Sequence, residues 1–198
     1  MPPVERIGVF GGTFDPPHVG HLVAAVNVRY QLDLDVVLLV VANQPWQKLG
    51  DRPITPAGDR LAMVAAAAAG VAGVAVSGLE IDRGGITYSV DTLATLHGQN
   101  PAAELFLIVG SDVAAGLTTW ERIDEVRALA SIVEVTRSGD RPKGEVPGIR
   151  HRVEIPRIEV SSTDVRQRVA SGAPIDFLVP SPAASYIADH GLYGGELL

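Results

Sequence analysis

The apolar runs of this chain are close to continuous rather than alternating, and that narrows the folds open to it. "RIGVF" (Arg6–Phe10), "DVVLLVVAN" (35–43), "ELFLIVG" (104–110) and "SIVEVTR" (131–137) are short and rich in Val, Ile and Leu. A strand with one wet face alternates apolar and polar residues, whereas these runs bury both faces. Helix-like stretches separate them: "HVGHLVAAVNVRYQL", an alanine-rich segment from about Ala57 to Gly70, "SVDTLATLHGQN" opened by Ser89 and closed by Gly98, and "DEVRALA". "HRVEIP" reads as a last strand, and "SGDRPKGEVPG" before it as a loop. Buried strands joined by helices imply parallel pairing, right-handed crossovers and a doubly wound α/β sheet. Past residue 160 the pattern changes: "SSTDVRQRVASGAP" and "SPAASYIADHGLY" are helical with no strand between them. The expectation is one domain over residues 1–198, with 161–198 as a small helical C-terminal part.

Composition narrows the function classes. With 46% hydrophobic residues in 198, a sizeable core is available. A net charge of -7 argues against a broad nucleic-acid footprint, though not against a small basic pocket for a phosphorylated metabolite. The absence of cysteine removes disulfides, thiol catalysis and cysteine-ligated zinc, and it fits a reducing cytoplasm. "MPPVERIGVF" lacks the layout of a signal peptide, and "LAMVAAAAAGVAGVAV" falls short of the roughly 20 residues that span a bilayer. No nucleic-acid or membrane partner is expected. No heptad announces an oligomer, and a homo-oligomer stays open.

The chemistry concentrates in "VFGGTFDPPHVGHL", Val9–Leu22. Ligands of parallel sheets sit at the carboxyl ends of strands, and this segment follows the first strand. Gly11 and Gly12 let a phosphate or ribose approach the backbone. The helix starting near His18 offers free N–H groups and a partial positive charge to an anion. His18 and His21 are three apart and share a face, Gly20 keeps that face open, and Thr13 adds a hydroxyl. Two imidazoles there can donate to phosphate oxygens, with charge rising if phosphates raise their pKa values. A zinc pair is a rival, because His at i, i+3 can chelate, but a third ligand nearby is missing. Neither G-x-G-x-x-G nor G-x-x-x-x-G-K-[ST] is present. A second anion site is readable in "SSTDVR": Ser161, Ser162 and Thr163 open a helix, and Arg166 one turn in adds a forked donor.

"GGTFDPPHVGH" resembles the signature of the nucleotidylyltransferases with an H-x-G-H motif, and most of all bacterial nicotinate-nucleotide adenylyltransferases. Further segments are similar in order along nearly the whole chain: "GLEIDRGGITYSVDTLATL", "LFLIVGSD" with "TTW", "VSSTDVRQRV" and "VPSPAASYIADHGLY". The resemblance implies a Rossmann-like nucleotidylyltransferase fold and transfer of AMP from ATP to nicotinate mononucleotide, releasing pyrophosphate and deamido-NAD without a covalent enzyme intermediate. It implies His18, His21 and Arg166 as catalytic residues. Gly11, Gly12, Thr13, Phe14, Ser161, Ser162, Thr163 and Arg137 fall on the ATP side. Asn43, Lys48, Thr87, Tyr88, Ser89, Asp112 and Trp120 fall on the mononucleotide side, with Trp120 stacked on the pyridine and Asp112 on a ribose hydroxyl. Mg²⁺ is expected to ride on the ATP phosphates, with no metal site of the protein's own.

Two departures stand out. "NQPWQK" replaces the family's N-x-P-P-H-[KR], so Trp46 stands for a proline and Gln47 for a histidine, and T-Y-S replaces S-Y-T. An adenylyltransferase for phosphopantetheine or flavin mononucleotide would share the His motif, but not the Tyr88–Leu93 and Asp112–Trp120 segments. A module that binds ATP without chemistry has little need of both histidines. A zinc hydrolase would hold stoichiometric metal.

Overall fold

A computed structural model of the chain describes residues 5–45, 53–139 and 147–194. Six strands form one sheet: β1 (Arg6–Gly12), β2 (Val36–Val41), β4 (Val74–Ser77), β6 (Glu104–Gly110), β7 (Ser131–Arg137) and β8 (Ile149–Ile155). Their order is β4-β2-β1-β6-β7-β8 and every pairing is parallel. The strand order reverses between β1 and β6, so the crevice at their carboxyl ends lies beside Gly11–Gly12 and Gly110. The doubly wound sheet expected from the continuous runs is therefore the one observed.

Both faces are covered, as continuous strands require. Helices α1 (Val19–Gln31) and α2 (Ala57–Ala68) pack Ala25, Val28 and Val64 against Val37, Leu39, Phe106, Ile108 and Val133. On the other face α4 (Ser89–Gln99) and α6 (Ile123–Leu129) pack Val90, Leu93 and Val126 against Val9, Leu105, Leu107 and Ile132. Neighbours along β6 thus point to opposite faces, both dry. The C-terminal part is helical as expected. Its α7 (Ser162–Ala170) and α8 (Ser181–Asp189) join Met63 and Ala67 of α2 in a third cluster with Val160, Val165, Val179, Ile187 and Tyr193. No helix among the described residues is long and apolar enough to cross a membrane.

Some elements differ from the sequence reading. The alanine-rich helix stops at Ala68, two residues short of Gly70. Gly98 lies inside α4, which ends at Gln99. The run after β4 turns into a short helix α3 (Leu79–Arg83). A second, two-stranded parallel sheet pairs β3 (Gln44–Pro45) with β5 (Ile86–Thr87). The left-handed backbone of Gly84 and Gly85 (φ 73° and 72°) makes the turn from α3 into β5.

Gly8 shows how tightly side chains of the neighbouring strands close over β1. A Cβ there would lie 2.9 Å from Val37 Cγ2 and 3.0 Å from both Ile108 Cδ1 and Leu34 Cδ1. Gly8→Ala is expected to lower stability by about 1–3 kcal/mol through overpacking. Denaturant unfolding checks this, and an unchanged midpoint would contradict the packing described.

Candidate active site

The signature segment leaves β1 and turns back under its own strand end. Phe14 holds a left-handed backbone (φ 50°), and its ring is buried against the space a Cβ on Gly12 would fill. Gly12 is thus a packing glycine, whereas a Cβ on Gly11 would meet open space. Gly11 is the position where a ligand can approach the backbone.

His18 caps the N-terminus of α1, and His21 is its third helical residue. Their rings stack at 3.7 Å between centroids and 21° between planes. The His18 backbone N–H donates to His21 Nδ1 at 3.1 Å. That bond leaves Nδ1 without a proton, so the neutral His21 ring carries its proton on Nε2. The edge of the Phe14 ring meets His21 at 4.9 Å between centroids. A Cβ on Gly20 would press the His18 ring at 3.0 Å, so Gly20 makes room for the stack.

His18 is 8% exposed. Burial, then the positive charge of Arg137, push its pKa down to about 4, and Asp164 partly offsets them. With no phosphate beside it, His18 therefore rests uncharged near neutrality. Arg137, exposed at the end of β7, is close enough to act on His18, so the cation at this mouth is a guanidinium.

The second anion segment is stitched to the first. Ser161 caps α7 by accepting the Asp164 N–H at 3.1 Å, and Ser162 Oγ donates to the Pro16 carbonyl at 2.8 Å. Arg166 is buried. It donates to the Asp15 carbonyl at 2.7 Å and to Thr163 Oγ1 at 3.0 Å, so these contacts lie behind the loop. The buried Tyr193 hydroxyl donates to Asp15 Oδ1 at 2.8 Å. Burial, then the Asp15 charge, push its pKa up, so it remains a donor.

On the other side of β1, the Asn43 N–H donates to Thr87 Oγ1 at 3.1 Å and Asn43 Nδ2 to the Gly85 carbonyl at 2.9 Å. Tyr88 caps α4 and Ser89 begins it, with no side-chain cap bond from Tyr88. Tyr88 and Trp120 both pack on the second face of the sheet, and Trp120 Nε1 is buried with no acceptor among the described residues. Asp112 follows β6 in a short helix α5 (Ser111–Ala114), its carboxylate folded back over Gly110. Trp46, Gln47 and Lys48 lie outside the described residues. Gly11–Phe14 thus lie at the end of β1, Asn43 follows β2 and bonds Thr87, Asp112 follows β6, Arg137 ends β7, and Arg166 lies behind the loop.

Sequence reasoning missed Arg60. It is 1% exposed and donates to four carbonyls: Thr55 at 2.8 Å, Thr13 at 2.8 Å, Ala42 at 2.7 Å and Asn43 at 3.0 Å. A buried guanidinium is tolerable only when so bonded, each charged bond contributing about 1.5–3 kcal/mol. Its signal was its place in "DRLAMVAAAA", in helical register with buried Met63, Val64 and Ala67. Glu80 was also missed as a structural residue. It accepts from the Thr92 hydroxyl, and burial raises its pKa while bonds from Thr92 and Thr87 pull it back. Among the described residues no cluster of three His, Asp or Glu could hold a metal ion.

The cytidylyltransferase-like family model matches residues 9–168. The chain belongs to this family. A relative from Saccharopolyspora erythraea, named "Probable nicotinate-nucleotide adenylyltransferase", is 48% identical over 97% of this chain and 91% of its own length. One of the same name from Streptomyces coelicolor is 46% identical over 94% of this chain and 100% of its own. Among solved structures, the Plasmodium falciparum nicotinic acid mononucleotide adenylyltransferase complexed with NaAD shares the fold at a TM-score of 0.77, with 17% identity over 96% of this chain and 97% of that one. This cytidylyltransferase-like chain keeps the signature loop and the His pair inside the matched region.

The His18 shift has a sign that can be tested. Between pH 6.5 and 4 the unfolded chain protonates this His and the folded chain does not. Stability should therefore fall as pH drops through that window, by up to roughly 3 kcal/mol. Unfolding free energy measured against pH checks it: His18→Gln should flatten the slope, and an identical slope would contradict the burial argument.

Proposed function

We propose that the protein is an adenylyltransferase that transfers AMP from ATP to nicotinate mononucleotide, giving deamido-NAD and pyrophosphate. The observation that carries this reading is the stacked His pair, His18 buried, at the helix start beside the strand-order reversal. The names of relatives at 43–48% identity support it. An oxygen of the acceptor's 5′-phosphate attacks the α-phosphorus, a new P–O bond forms, the bond to the bridging oxygen breaks, and pyrophosphate carries the electron pair away. No protein nucleophile takes part, so catalysis is positioning plus stabilisation of charge on the transferring group.

In this reading His21 donates Nε2–H to phosphate oxygen as a neutral imidazole, and His18 lies against it. Arg137 supplies fixed positive charge on the ATP side. Gly11 and the start of α1 admit the phosphates, with Thr13, Phe14, Ser161, Ser162 and Thr163 around them. Asn43, Thr87, Tyr88, Ser89, Asp112 and Trp120 take the mononucleotide, and Lys48 belongs to the loop over it. Arg166 acts from behind the loop through Asp15 and Thr163. Mg²⁺ arrives on the ATP phosphates and neutralises part of their charge. The donor set fits that arrangement, because His21 and Arg137 offer N–H groups to the phosphate oxygens that a nucleotide-borne metal leaves free. A cytoplasmic setting completes the proposal.

His18→Ala and His21→Ala should each lower kcat on the order of 100-fold with the fold intact by circular dichroism. Pyrophosphate release from Mg·ATP is the readout, with nicotinate mononucleotide, nicotinamide mononucleotide, phosphopantetheine and flavin mononucleotide as parallel acceptors. Nicotinate mononucleotide should be the best acceptor. Release only with another acceptor would overturn the substrate, and wild-type turnover in both variants would overturn the mechanism.

A further inference from the structure

The carbonyl of Thr13 points into the protein, where Arg60 Nη1 takes it at 2.8 Å. The same nitrogen takes the Ala42 carbonyl at 2.7 Å, and Nη2 takes that of Asn43 at 3.0 Å. One buried guanidinium therefore joins the end of the signature strand to the first residue of the mononucleotide side. The Thr13–Phe14 peptide is trans, so its N–H lies opposite its C=O. With the oxygen held by Arg60, the Phe14 N–H points away from that guanidinium. Phe14 is gripped at its other end too, by a buried ring packed under Gly12 and edge-on to His21. A bulky residue keeps a φ of 50° only when its surroundings hold it from several sides.

We propose that Arg60 is a positioning residue for the transfer: it turns the Phe14 N–H toward the phosphates and fixes that peptide at a set distance from Asn43. This rests on the adenylyl-transfer reading above. Arg60 touches no substrate. It acts through two peptides, one on each side of the reacting phosphorus, and so contributes to alignment rather than to charge at the reaction centre.

Two measurements test it. In ¹⁵N-labelled wild-type protein, titration with inorganic tripolyphosphate should move the Phe14 amide resonance with the same midpoint as His21. A Phe14 amide unmoved at saturation overturns the proposal, and no binding at all removes the phosphate site together with the proposal. In Arg60→Lys, kcat should fall about tenfold or more at a temperature where the variant is folded. Gly8→Ala, matched for its loss of thermal stability, should keep wild-type kcat. Wild-type kcat in folded Arg60→Lys would make Arg60 merely structural and overturn the proposal. If that variant does not fold, the amide titration decides alone. A wild-type protein that moves Phe14 on tripolyphosphate yet releases no pyrophosphate would retire the adenylyl-transfer reading and leave the peptide orientation standing.

Discussion

A carbonyl oxygen turned into the protein has to find a donor there, and the back of the signature loop is arranged around that constraint. Three carbonyls of the signature loop are drawn inward by side chains from elsewhere in the chain. Arg60 of α2 takes Thr13, Arg166 of α7 takes Asp15, and Ser162 of α7 takes Pro16. Tyr193 holds the Asp15 carboxylate from beyond α8. The cluster of α2, α7 and α8 then has a clear physical purpose: it brings two buried guanidinium groups to the back of one short loop. Losing any one of them would leave a buried acceptor unpaired.

The same arrangement settles how charge is distributed. Of two imidazoles stacked at 3.7 Å, the buried His18 rests as a neutral ring, and His21 accepts the His18 N–H through Nδ1. They are suited to donate hydrogen bonds rather than to provide cations. Fixed positive charge comes from Arg137 at the mouth. A chain with net charge -7 can thus hold an anion site that is local and directional.

Much of this was readable from the sequence, for identifiable reasons. Continuous Val, Ile and Leu runs report dry strands on both faces, and they gave the parallel sheet. The glycines and histidines after the first strand marked the ligand end. Features resting on tertiary contact were not readable. The strands Gln44–Pro45 and Ile86–Thr87 are two residues each, too short for any periodicity. Leu79–Arg83 continues an apolar run yet coils, with its Glu80 buried against Thr92. Arg166 reads as a phosphate donor from its spacing to Ser161, but which way its side chain points depends on packing against Asp15, 151 residues away. Arg60 sits in a stretch that composition marks as plain helix, and only its register with Met63 and Val64 hinted that it is buried.

Direct transfer, with the protein supplying alignment, hydrogen bonds and fixed charge but no nucleophile, is best tested by the stereochemistry at phosphorus. The measurement uses ATP carrying a single sulfur at the α-phosphorus, of known configuration, with nicotinate mononucleotide as acceptor, and determines the configuration of the dinucleotide product. One in-line displacement inverts the phosphorus, and inversion is the predicted result. Retention would require two displacements through an adenylylated side chain, and it would contradict a site built to align its substrates and never to bond to them.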